Sequence, residues 1–105
     1  MVFDVSKVSG IGEYTTDIVS LGEGVDVEEV TIYKVSDKAF LVVRNNTIEV
    51  RSDEKLSKLL REKYESVMES RYFGRGGIEI VNSGQLNEDE VYDLVRLSYD
   101  LSRDN

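Results

Sequence analysis

The chain has 105 residues, a net charge of −8, and no cysteine, histidine or proline. That length fits one domain, residues 1–105. The missing residue types exclude disulfides, thiolate nucleophiles, zinc–cysteine sites and any histidine base, ligand or pH switch.

Ile11, Tyr14, Ile18 and Leu21 fall at helical spacing, with Gly22 placed as a C-cap. This predicts a first helix over residues 12–21, against the β-branched preference of Thr15, Thr16, Ile18 and Val19. Residues 27–35 read as a β-branched strand, and Ser36-Asp37 as a tight connection. Residues 38–44 form the next strand. Its run Ala39-Phe40-Leu41-Val42-Val43 is apolar on both faces, which suits a central strand covered on both sides. Asn45-Asn46 signals a two-residue hairpin, because asparagine tolerates the positive φ such turns require. Residues 47–51 then alternate, with Ile48 and Val50 inward and Thr47, Glu49 and Arg51 outward.

Ser52 is placed to cap a helix running to Tyr64, with Leu56, Leu59, Leu60 and Tyr64 along its buried face. Val67-Met68-Glu69-Ser70 leads into the loop Arg71-Tyr72-Phe73-Gly74-Arg75-Gly76-Gly77. A short strand over residues 78–81 and a turn at Ser83-Gly84 follow. Asn87 and Glu90 have capping-box spacing, and Val91, Leu94, Val95, Ser98 and Leu101 make the last helix's buried stripe. The predicted order is α-β-β-β-α-β-β-α, an α+β fold with an antiparallel sheet and helices packed on one face.

Several strings, in this order, resemble the MmcQ/YjbR family. Ser20-Leu21-Gly22-Glu23-Gly24-Val25 is similar to the joint after that family's first helix, without its proline. Tyr33-Lys34-Val35-Ser36-Asp37-Lys38-Ala39-Phe40 is similar to its first hairpin, and residues 56–64 to its middle helix. Residues 84–90 and Ser98-Tyr99-Asp100-Leu101 are similar to the start and end of its last helix. The resemblance spans residues 14–101 and implies a CyaY-like (frataxin-like) sandwich and DNA binding through a "double wing" of hairpins. The chain departs from the family at Gly74-Arg75-Gly76-Gly77-Ile78, where the usual histidine and tryptophan are absent and only Arg75 is basic.

Three constellations are candidates for function. Arg71, Tyr72, Phe73 and Arg75 set two guanidiniums around two aromatics in a glycine-rich loop, a pattern that can clamp phosphate and stack on bases. The competing structural reading packs both rings into the core and leaves the glycines to build a hairpin. Arg44, Asn45 and Asn46, with Lys38 and Arg51 near in sequence, make a wing tip able to read base edges, or a plain solvated turn. Glu13, Asp17, Asp26, Glu28 and Glu29 form an acidic set that suits a hard cation, or a solvated acidic face.

No histidine exists to activate a serine or threonine, so a non-enzymatic binding module without a cofactor is expected. DNA is the partner that the resemblance implies. The charge of −8 steers instead towards a basic protein partner or a weakly held cation. No apolar run approaches the ~20 residues of a membrane span. Met1-Val2-Phe3-Asp4 lacks the layout of a signal peptide, so a cytoplasmic location without a membrane partner is expected.

Overall fold

Alternating apolar side chains between residues 28 and 51 build the middle of a six-stranded antiparallel sheet in this computed structural model, which describes residues 3–82 and 84–103. A 3-10 turn at Val5–Lys7 comes first, a feature not foreseen from sequence. Then follow β1 (Thr15–Leu21), β2 (Glu28–Val35), β3 (Lys38–Val43), β4 (Thr47–Arg51), α1 (Glu54–Lys63), β5 (Val67–Ser70), β6 (Gly74–Val81) and α2 (Glu88–Arg103). The strand order is β1-β2-β3-β4-β6-β5. Every neighbouring pair is antiparallel, so β4 and β5 run parallel with β6 between them, and α1 is their crossover.

The expected first helix is a strand. Four of the seven residues of β1 are β-branched, and they pair in unbroken register from Thr15↔Lys34 to Leu21↔Glu28. The helical spacing of Ile11, Tyr14, Ile18 and Leu21 therefore has no helix behind it. Gly22 is no helix cap either: it turns the chain at φ +117°, where a Cβ would lie 2.0 Å from the Asp26 carbonyl oxygen. Ser36 and Asp37 take the positive φ of a tight hairpin, at 52° and 64°. Asn45 and Asn46 do not: among the described residues, Ser36 and Asp37 are the non-glycine positions with positive φ.

Both helices lie on one face of the sheet. Leu56 and Leu60 of α1, Tyr64 at its C-cap, and Val91, Leu94, Val95 and Tyr99 of α2 pack on Leu41, Ile48, Val50, Ile78 and Ile80. Phe3, Val5 and Val8 fill the same core from the N-terminal segment. The expected stripes need correction at two positions, since Leu59 and Leu101 are exposed while Tyr99 and Ser102 are buried. The α1 cap is also one residue later than expected. Asp53 Oδ1 accepts the Leu56 N–H at 2.8 Å, and Ser52 is buried with its hydroxyl against that of Ser57. At α2 the Asn87 box forms in both directions, with Glu90 N–H to Asn87 Oδ1 at 2.9 Å and Asn87 N–H to Glu90 Oε1 at 3.4 Å. The Ser83 half of the expected turn before it lies outside the described residues.

The β2–β3 register shifts at Tyr33/Lys34. On the other side of β3, where its pairing with β4 ends at Leu41↔Val50, α2 supplies the missing bonds. The Ser98 hydroxyl donates to the Phe40 carbonyl at 2.6 Å and accepts the Arg51 N–H at 2.7 Å, while Ser102 donates to the Ala39 carbonyl at 3.3 Å. No helix of the described residues is long and apolar enough to cross a membrane.

Candidate functional site

The sheet face away from the helices carries the unexpected chemistry. Directly paired residues share a face, so one row can be followed across all six strands: Asp17, Ile32, Val42, Glu49, Glu79 and Met68. At the β1–β3 side this face is apolar, with Val30, Ile32, Ala39 and Val42 buried and Val19, Leu21 and Phe73 packed against them. At the β4–β6 side it holds buried carboxylates. Glu49, expected to face solvent, has 0% of its surface exposed, and Glu79 is also buried.

Both carboxylates survive burial because their lone pairs are occupied. Glu49 Oε2 accepts from Arg44 Nε at 2.5 Å, and its Oε1 accepts from the Ser70 hydroxyl at 2.7 Å and the Tyr72 N–H at 2.9 Å. Glu79 takes a bidentate pair from Arg71 at 2.9 and 2.7 Å and a bond from the Thr47 hydroxyl at 2.8 Å. Burial pushes the Glu79 carboxyl up, but the bonds from Arg71 and Thr47 win and leave it below the usual carboxylate range. Glu28 is also held low, first by the Asn45 main-chain N–H at 3.0 Å and then, against partial burial, by Arg44 at 3.0 Å.

These bonds decide where the expected basic residues stand. Arg44 is buried between Glu28 and Glu49, so the wing tip exposes Asn45 and Asn46 without it. Arg51 donates to the Ala39 carbonyl at 2.6 Å and lies 4.9 Å over the Phe73 ring. Lys38 opens β3 opposite Val35, away from that tip. Arg71 reaches the surface but is held by Glu79. Phe73 packs on the second apolar cluster, as the structural reading of the loop expected, whereas Tyr72 is exposed beside it. Arg75 is exposed on β6. Gly77 serves packing: a Cβ there would lie 2.5 Å from the Val50 carbonyl and 2.6 Å from Phe73 Cβ.

The acidic set does not converge. Glu13 precedes β1, Asp17 pairs with Lys34 at 3.0 Å, and Glu28 is bound to Arg44. Asp26 and Glu29 are exposed along the approach to β2 and its start. In an extended strand Glu13 and Asp17 no longer share the helix turn that would have brought them together. Among the described residues no three acids form a group fit to hold a metal ion.

What the fold gathers instead is acidity on one hairpin. Residues 13–35 carry Glu13, Asp17, Glu23, Asp26, Glu28 and Glu29 against the single lysine Lys34. Tyr14, Ile18, Val25 and Val27 are exposed on the same stretch, Ile18 by 68% and Val25 by 98%. A shallow groove lined by Glu13, Tyr14, Thr15 and Lys34 opens beside the start of β1. The Tyr99 hydroxyl fixes that entry, accepting the Gly12 N–H at 3.2 Å and donating to the Glu13 carbonyl at 3.0 Å.

Sequence reasoning missed the carboxylate network, and it named five of the hairpin's acids without placing them on a sheet edge. Two signals pointed to the network: β3 is apolar on both faces, which requires cover on the far side, and Glu79 stands between Ile78 and Ile80. No family model, curated protein or solved structure matches the chain.

Proposed function

We propose that this chain is a non-enzymatic binding module for a basic protein partner, engaged through the acidic β1–β2 hairpin. One observation carries the reading: acids and exposed apolar side chains share this hairpin, while Arg44, Arg51 and Arg71 are already tied to carboxylates or a carbonyl. An acidic rim around apolar contacts steers a basic partner and then holds it. Kinship with MmcQ/YjbR, and with its CyaY-like sandwich, belongs to the proposal too. The strings from residue 33 to residue 101 support it, and the strand standing at the family's first helix departs from it. The DNA binding that this kinship implies keeps one specific support, the exposed pair Tyr72 and Arg75 at the β5–β6 turn.

An amide-shift titration separates the two readings. Labelled protein is titrated with a basic peptide, an acidic peptide of equal length and a mixed-sequence DNA duplex, at low and near-physiological salt. The basic peptide is expected to shift residues 13–29 and lose affinity as salt rises. Shifts from the duplex confined to residues 71–77, with none from the peptide, would overturn the protein-partner reading in favour of nucleic acid.

A further inference from the structure

The two edges of the sheet are built differently. β5 is four residues long and its register with β6 shifts at Glu69/Ser70. β1 is seven residues long and pairs with β2 without a bulge. An edge strand turns alternate N–H and C=O groups outward, a template on which another strand can form. Proteins commonly blunt such edges with lysine, proline, a bulge, short length or a covering element. β5 uses shortness and irregularity. β1 contains neither lysine nor proline, is regular, and is exposed or half-buried along its whole length.

We propose that β1 takes up an extended segment of a partner protein as a seventh strand, a segment with an apolar centre flanked by lysine or arginine. This rests on the basic-partner reading above and specifies how the partner is held. The surrounding acids choose the occupant. A second copy of this chain would set two acidic hairpins side by side, whereas a basic segment meets opposite charge. Side chains of an added strand alternate between faces. On one face they run beside Asp17, Val19 and Leu21, extending the apolar cluster of Val30, Ile32 and Val42. On the other face they run beside Thr16, Ile18 and Ser20. A cation lying beside Asp17 competes with Lys34, and the exposed Glu23 and Asp26 stand near the Leu21 end for another.

The test uses the unaltered full chain and a capped peptide of pattern Lys-Arg-Val-Thr-Val-Arg-Lys, with single N-methyl groups introduced at each amide in turn. Binding is followed by anisotropy and by amide shifts. A main-chain ladder predicts a period of two. Methyl groups on amides facing β1 weaken binding about tenfold, the worth of one lost hydrogen bond, and those on amides facing away change it little. If the parent peptide binds and no methyl position matters, strand addition is overturned while the basic-partner reading stands. If the parent peptide does not bind, both fall. If sedimentation shows the chain dimerising on its own through protected β1 amides, a second copy is the occupant and the proposal is overturned.

Discussion

Replacing Glu49 by alanine tests whether the carboxylate network holds the uncovered face together. Glu49 has no exposed surface and accepts three hydrogen bonds, from Arg44, the Ser70 hydroxyl and the Tyr72 main chain. Its removal leaves the buried Arg44 with Glu28 alone and strips two donors of their acceptor. Removing one partner of a buried ion pair costs about 3–5 kcal/mol, mostly from the charge left behind. A chain of this size is stable by only about 5–15 kcal/mol. With a urea slope of about 1–3 kcal/mol per molar, the midpoint should fall by at least roughly 1 M. The control is Asp17→Ala, which breaks the exposed pair with Lys34 and should cost less than about 1 kcal/mol. Arg44→Met combined with Glu49→Leu should recover part of the loss, because apolar replacement removes both charges together. If Glu49→Ala moves the urea midpoint no further than Asp17→Ala, the network is not a structural clamp and the argument fails.

Two other expectations follow from the same region. Glu79 and Glu28 hold their protons less tightly when folded than when unfolded. Their contribution to stability is therefore complete above the ordinary glutamate value of 4.5 and is lost as pH falls below it. Thermal melting across the acid range should show that loss, with a shallower acid limb in Glu79→Gln; an unchanged limb would refute the assignment. Gly77→Ala should destabilise by about 1–3 kcal/mol and displace Phe73, since the new methyl meets the Val50 carbonyl and Phe73 Cβ. Gly76→Ala, whose Cβ would meet only an ordinary contact at 3.6 Å, should stay within about 0.5 kcal/mol in the same denaturation assay.

The parts legible in the sequence were those with local causes. The β2–β3 turn at Ser36-Asp37, the bounds of β4 and the Asn87–Glu90 cap each follow from residues a few positions apart. β1 was misread because its apolar spacing fits a helix, and only its pairing with β2 decides the matter. That is tertiary context overriding periodicity. Glu49 was misread for a related reason. Alternation does place it opposite Ile48 and Val50, but whether that face meets water depends on Phe73, Arg44 and Arg71 folding over it. The same packing reshaped the glycine-rich loop, where Arg71, expected to meet a ligand, is held by Glu79, while Arg75 stays exposed.

Tyr99 ties the fold together in time as well as in space. Its hydroxyl bonds Gly12 and Glu13, 87 and 86 residues earlier in the chain, and so fixes the approach to β1 from the last helix. During synthesis the open strand emerges well before its anchor. The edge cannot be set in its final position until α2 has been made. A binding strand of this kind thus becomes competent only once the last helix has arrived, and a product cut short before residue 99 lacks its fastening.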